Sequence, residues 1–439
     1  MTILTDADIA ALRHTVRGSV WLPGDAGFDD VHRPWNRAVE QSVCAVVEAA
    51  DAADVARLVA FAHAHGLPVA AQPSGHGATG RADGAILLRT ARLDAIDIDP
   101  ETRTAVVGAG VRSGELQRAA AAHGLTALPG SSPIVTVTGA ALGGGLSWFG
   151  RAFGWIGDSI LAADIVTADG TARRVTPDTD PELLWALRGG GGDIVIVTAL
   201  EVQLRAAPAL FGGRQLWSAT HAHEVASAFR AMTATAPDEL TLWLELFHFP
   251  DSEPMIAIDS TYLGDEDAAR AHLRATDALP APLTDTRAVL SVADLGTITA
   301  EPTEPGAGQS RGELLTHLDD EALRVLLDEP LAPLMGVQLR HLGGALARHS
   351  DSPHGAVAEP FAIHLFGVPS TPAVTAQIVQ KQADLAAALP TSGRKPITFL
   401  GPGEQLSAAL TPQAVDRLRA LKDVLDPQQT VRGNFGVRW

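Results

Sequence analysis

Residues 67–80 read LPVAAQPSGHGATG, and this stretch decides how the first third of the chain folds. Leu67–Ala71 has the apolar makeup of a strand, and Pro73 to Gly80 is a turn-rich loop with His76 at its centre. Upstream, Gly66 closes an Ala-rich helical stretch, Ala52–His65, which follows an apolar run at Ser42–Val47. The unit is β–α–β, and its second strand empties into a glycine loop. Consecutive small residues can turn their N–H groups inward as an anion nest. Taken alone, His76 reads first as a hydrogen-bonded turn residue.

Downstream, Ala85–Leu88, Ala95–Ile98 and Thr104–Val107 read as strands, and Gly114–His123 as a helix. Residues 129–157, PGSSPIVTVTGAALGGGLSWFGRAFGWIG, hold little side-chain volume, which suits close backbone approach to a ligand. Ile160–Thr167 and Ala172–Val175 flank an Asp169-Gly170 turn and form a hairpin. Trp185–Gly192 is a second glycine run leading directly into a strand at Ile194–Leu204. From Pro208 to about Pro390 longer strands (Thr241–Phe249, Met255–Leu263, Gly336–Leu342, Phe361–Val368) alternate with helices (His223–Ala236, Asp265–Leu279, Asp320–Leu327, Val374–Leu389). That pattern is an α+β unit with an antiparallel sheet. Ala300–Gly312 reads as a surface loop, and a helix at Pro412–Leu425 precedes the tail DPQQTVRGNFGVRW.

Composition narrows the function classes. A chain of 439 residues is long enough for roughly two to three domain-sized units. The net charge of −18 disfavours a nucleic-acid partner, because phosphate rewards Lys and Arg. The N-terminal MTILTDADIAALRHTV lacks a basic region before an apolar run, and no stretch of about 18 apolar residues suggests a membrane span. The single Cys44 is expected in the core, and a cytoplasmic location is expected. Gly108 to Gly114 has GxGxxxG spacing without the later acidic residue of an NAD site. No P-loop or GxSxG elbow occurs. His63/His65 and His221/His223 lack a third ligand, so no metal is expected.

These segments together resemble the FAD-linked oxidases of the vanillyl-alcohol oxidase superfamily, berberine-bridge-enzyme-like branch. The resemblance runs over nearly the whole chain. The 73–80 loop is similar to the family's R-G-G-H-S-x-x-G loop, whose histidine bonds the flavin 8α-methyl. Thr167-Ala168-Asp169-Gly170, Leu184 to Gly192, Gly343-Gly344-Ala345 and Asp426-Pro427 with Arg432-Gly433-Asn434 match further landmarks in order. The resemblance implies a two-domain α+β PCMH-type FAD-binding fold with an antiparallel-sheet substrate domain flanked by helices. Residues 1–205, with 396–439 returning, would bind FAD, and 206–395 would cover the substrate. It implies covalent FAD through His76. The flavin-binding set would be Pro73, Ser74, Gly75, Gly77, Ala78, Thr79, Gly80, Ser132, Thr138, Gly139, Gly143, Gly144, Gly145, Val195, Val197 and Asn434.

Three departures matter. Where bicovalent relatives carry a cysteine before proline, this chain has Ser132 before Pro133, so a single flavin bond is expected. Asp193 begins DIVIVT, where the family has N-F-G-[IV]-V-T. The usual catalytic tyrosine is missing: the corresponding stretch is Thr398-Phe399-Leu400-Gly401, and the chain's one tyrosine is Tyr262. Alternation along the middle strands offers substitutes. Leu242, Leu244 and Leu246 form a helix-packing face, opposite Trp243, Glu245, Phe247 and Phe249. Gln338 and Arg340 oppose Val337 and Leu339, while His364 and Phe366 oppose Ile363 and Leu365. Trp243, Phe247, Gln338 and Phe366 are the expected substrate contacts. His364 is the first candidate base, with an imidazole titrating at about 6.5. Glu245 is the second, if burial raises its pKa, and Arg340 is an orienting group. The rival is an ordinary solvated sheet face with an Arg–Glu pair. The expected activity is oxidation of a small amine, alcohol or secondary metabolite with O2 as acceptor, by a monomer or homodimer. A dehydrogenase or redox-neutral relative and a non-catalytic flavin binder are the alternatives.

Overall fold

The computed structural model describes residues 6–438. The first sheet has the order Ser19–Trp21, Ala45–Glu48, Ile86–Arg89, Val69–Ala71. Its last three strands are parallel. The connecting helix Ala52–Ala64 starts where the Asp51 carboxylate accepts the Asp54 N–H at 2.9 Å, and ends before Gly66 at φ 63°. The helix buries Val55, Leu58, Val59 and Ala62 against the sheet.

The second sheet is antiparallel, in the order Ile96–Asp99, Thr104–Gly108, Ile196–Gln203, Ile160–Val166, Ala172–Val175. The expected hairpin is present, with Gly170 at φ 88° and Asp169 accepting the Thr171 N–H. The segment read as a glycine run from Trp185 differs. Residues 181–187 form a helix, Pro181–Leu187, capped by Asp180, and the strand opens at Ile196. Leu183, Leu184, Trp185, Ala186 and Leu187 are all buried, so the apolar run serves packing before the glycines begin.

The third sheet is the large one. Its central order is Leu210–Ser218, Met255–Leu263, Leu240–Phe247, Gly336–His341, Phe361–Gly367, Gln309–Leu315, all antiparallel. Helices Ala222–Thr233, Glu266–Leu273, Asp320–Leu327 and Pro372–Ala388 cover one face. Leu242, Leu244, Leu246, Val337, Leu339, Ile363 and Leu365 share one buried cluster with residues of these helices, as the alternation predicts. The opposite face meets the first half of the chain, where Trp243 stacks on Trp148 at 3.8 Å.

The expected loop at 300–312 is corrected in its second half: Gln309–Leu315 is a strand. Gly312 imitates a loop residue because a Cβ there would lie 2.4 Å from Phe399. Its missing side chain makes room for that ring. The strand Leu210–Ser218, with Gly212 and Gly213 inside it, was likewise not read from the sequence. Helix Pro412–Leu425 carries the chain back to the first half. Ile397, Leu400, Leu406, Leu410 and Leu418 join the core around Val107, Ile165 and Leu200. Among the described residues no helix is long and apolar enough to cross a membrane.

Candidate active site

The 73–80 loop leaves the strand Val69–Ala71 and turns sharply at Gly75, φ 81°, where a Cβ would lie 2.8 Å from the Pro34 ring. This close approach sets His76 flat against Trp35, with ring centroids 4.3 Å apart and planes 16° apart. One ring nitrogen of His76 bonds the Ser74 hydroxyl at 2.7 Å, while Nε2 is buried without a partner. The Trp35 indole N–H is buried and unpartnered as well, and so is the Thr138 hydroxyl. Buried polar atoms are nearly always satisfied, so such orphans mark where a bound group belongs. Burial, assisted by Arg112, depresses the His76 pKa to about 4. The imidazole is therefore neutral at pH 7, with a lone pair free for bonding. Trp35, forty residues upstream of the loop, was not foreseen.

The tail closes over this loop. Thr79 Oγ1 donates to the Asn434 carbonyl at 2.9 Å and Arg81 Nε to the Gly433 carbonyl at 3.0 Å. A Cβ on Gly77 would sit 3.5 Å from the Asn434 amide nitrogen. Asp193, which breaks the family pattern, anchors the tail. Its two carboxylate oxygens accept the Gly433 N–H at 2.8 Å and the Val437 N–H at 3.1 Å. Gly433 must lack a side chain, since a Cβ would come within 2.9 Å of the Asp193 backbone. The buried Lys422 ammonium donates to the carbonyls of Asp193 and Val431 and to Asp426. Val69 exchanges backbone bonds with Thr430 and Arg432, so the tail extends the first sheet.

The other expected flavin residues are placed as follows. Thr136 caps the short helix Val137–Leu142, which holds Thr138 and Gly139. Gly144, φ 83°, lies within 2.9 Å of where a Gly189 Cβ would be, and His354 packs against both. Gly143 accepts a bond from the His354 ring at 3.2 Å, and Gly145, φ 71°, abuts Ile156. Ser132 and Ala78 are buried, while Pro73 and Gly80 are half-buried. Val195 and Val197 point into the core, so any contribution to cofactor binding runs through their backbone.

On the large sheet, Glu245 pairs in register with Gln338, and Gln338 with His364. Their side chains form a relay across four strands. Arg340 Nε donates to Gln338 Oε1, and Gln338 Nε2 donates to Glu245 Oε1. Glu245 Oε2 meets Arg214 Nη2 at 3.1 Å, and Arg214 grips Asp259 with two bonds of 2.7 and 2.6 Å. The Glu–Arg pair is therefore Glu245–Arg214, with Gln338 standing between Glu245 and Arg340. The face is not an ordinary solvated one: Trp243 is 2% exposed and Glu245 6%. Phe247 stacks on Phe249 and under Arg214. Phe366 covers Gly308, which Asn36 holds by a reciprocal pair of 3.0 Å bonds. Trp35 and Asn36 thus tie His76 to the rim of the sheet.

The expectation for His364 needs correction, while the burial asked of Glu245 is found. His364 does lie on this face, 5.4 Å from the Phe399 ring, but burial and the Arg340 charge depress its pKa to about 4. It is a much weaker proton acceptor at pH 7 than a free imidazole. Glu245 moves the other way: burial beside Asp259 pushes it up to about 8. Burial raises the Asp259 carboxyl as well, and the Arg214 guanidinium that grips it works against that shift. Neither Arg214 nor Asp259 was singled out from the sequence, although a charged residue inside each of two apolar strands was the available signal.

The raised Glu245 predicts a pH effect on stability. A carboxyl whose folded pKa exceeds its ordinary 4.5 contributes fully below that value, and the contribution is lost as pH rises through about 8. The isosteric Glu245→Gln cannot titrate. Its Tm is expected to overtake the parent's between pH 5 and 9, by on the order of 5 °C. A constant Tm difference over that range contradicts the raised pKa.

Comparison with known proteins places these features. Residues 43–176 match a family model described as an FAD binding domain. The (R)-6-hydroxynicotine oxidase of Paenarthrobacter nicotinovorans is 32% identical over 294 residues, covering 65% of this chain and 64% of the relative. The matched segment thus spans just under two thirds of that relative's length. The crystal structure of 6-hydroxy-D-nicotine oxidase from Arthrobacter nicotinovorans superposes with a TM-score of 0.83 at 26% identity, over 96% of this chain and 98% of that one. The Physcomitrella patens BBE-like 1 structure shares the fold, with a TM-score of 0.84 at 19% identity over 98% of both chains.

Proposed function

We propose that this chain, with its FAD binding domain and its likeness to FAD-linked oxidases, is an oxidase of the vanillyl-alcohol oxidase superfamily, berberine-bridge-enzyme-like branch. It holds FAD covalently through His76 alone and oxidises a small organic amine, with dioxygen as final acceptor. The observation that carries this reading is the neutral His76 ring, with its orphaned buried nitrogen stacked on Trp35. The surrounding residues fit the cofactor: the Trp35 indole N–H and the Thr138 hydroxyl are buried without partners, and the Asn434 tail packs on the nest loop. Ser132 offers a hydroxyl where a second flavin bond needs a thiol.

FAD, when bound, supplies the hydride acceptor. The protein's own groups bind and orient the substrate and keep water out. The sheet face supplies the walls, with Trp243 and Phe399 against Arg340 and Phe247 against Arg214. No strong base stands there at neutral pH, because His364 titrates near 4 and Glu245 keeps its proton. A substrate that needs its proton removed in the rate-setting step is poorly served. An amine that arrives neutral needs none: its α-carbon gives up a hydride and becomes an iminium carbon, which water then hydrolyses. Reduction of dioxygen to hydrogen peroxide balances the two electrons. The nicotine oxidase relative is named for an amine substrate, which agrees with this choice.

Anaerobic mixing with a panel of secondary and tertiary amines and matched alcohols tests the proposal. Amines are expected to bleach the flavin, and admitting air is expected to restore its colour with one peroxide per turnover. Bleaching by alcohols alone, or by nothing in the panel, overturns it.

A further inference from the structure

Arg340 carries a positive charge with no opposite charge against it. Its guanidinium lies 4.1 Å from the Trp243 ring centroid and 5.4 Å from that of Phe399. Its Nε donates to Gln338, and among the described residues it makes no ion pair. The nearby carboxylates are committed elsewhere, Glu245 to Gln338 and Arg214 and Asp259 to Arg214. Glu245 and Glu301 act on Arg340 only at longer range. Guanidinium has five N–H donors, and the protein uses one. The two terminal nitrogens make no hydrogen bond among the described residues, yet they are not among the polar atoms sealed from solvent. The aromatic rings favour the charge over their faces but leave the N–H edges unanswered.

We propose that Arg340 binds an acidic group of the substrate, and that the amine this protein oxidises is a small aromatic one that also carries a carboxylate. Arginine's planar fork matches a carboxylate with two parallel bonds. Trp243 and Phe399, the two rings against the guanidinium, supply the apolar walls for the ring. The protonated Glu245 and the neutral His364 carry no competing charge, which leaves Glu301, beyond ion-pairing distance, as the acidic group that acts on Arg340. The proposal rests on the oxidase reading only for calling this ligand the substrate; binding itself needs no turnover.

The test is calorimetric titration of the oxidised, flavin-loaded protein with benzoate and with its neutral isostere benzamide. The parent is expected to bind benzoate more tightly, and Arg340→Gln to weaken benzoate on the order of 10- to 100-fold while leaving benzamide unchanged. Arg340→Lys is expected to keep part of the preference, since it retains charge without the fork. Flavin content and Tm of each variant report its folding, and the parent's benzoate-to-benzamide ratio stands without any variant. Equal affinities in the parent, no binding of either compound, or a benzoate preference that survives in Arg340→Gln overturns the proposal. If no amine bleaches the flavin but benzoate binds through Arg340, the oxidase reading fails and this one stands.

Discussion

Ending the chain at Asp426 strips the protein of most of its FAD and lowers its stability by at least several kcal/mol, the usual cost of uncompensated buried charge. The tail packs on the His76 loop, through Thr79 and Arg81. Removing residues 427–439 takes away the donors to both oxygens of the Asp193 carboxylate. It removes the Val431 carbonyl from the buried Lys422 ammonium and the Thr430 and Val431 N–H groups from Asp426. It also exposes the edge of the strand Val69–Ala71, which leads into the His76 loop. A milder variant isolates the central contact. Asp193→Ala strands two N–H groups, at about 1–3 kcal/mol each. Asp193→Asn keeps one acceptor oxygen and is expected to retain roughly half of that stability. Flavin absorbance per protein and chemical denaturation read both effects. A truncated protein that keeps full flavin content and stability contradicts the docking role.

The second large effect is expected at the histidine. His76→Ala leaves no flavin attached after denaturation, so acid or guanidinium releases all colour from the variant and none from the parent. The native variant still holds some dissociable FAD, because the glycine run, the Thr138 hydroxyl and the tail are untouched. Trp35 loses its stacking partner, which predicts a change in tryptophan fluorescence that free FAD does not reverse. His76→Ala that stays covalently yellow places the attachment elsewhere.

How much of this was legible in the sequence varies from element to element, for physical reasons. Asp320–Leu327, Pro412–Leu425 and Met255–Leu263 lie where periodicity and end signals put them. The two helices are amphipathic and open on the side-chain caps Asp319 and Thr411, and the strand is mostly apolar. The shared face of Trp243, Glu245, Gln338, Arg340 and His364 followed from strand alternation, which fixes side without needing the partner strand. Gln309–Leu315 was hidden because Gly312 serves the neighbouring Phe399 ring and not its own backbone. Trp35, Arg214 and Asp259 were hidden because their partners are remote in sequence: Arg214 and Asp259 stand 45 residues apart. The basicity of His364 was misjudged for a similar reason, since it depends on burial and on Arg340, which lies on the adjacent strand. Asp193 stood out as an unusual carboxylate, but its two tail donors are more than 200 residues downstream.

Mass analysis of the purified protein tests the central claim most directly. The account predicts an intact mass raised by one FAD and, after proteolysis, a single flavin-bearing peptide that fragments with the modification on His76. Ser132 is expected to be unmodified. A flavin found on any other residue, or a protein whose whole flavin content dissociates on denaturation, contradicts the account.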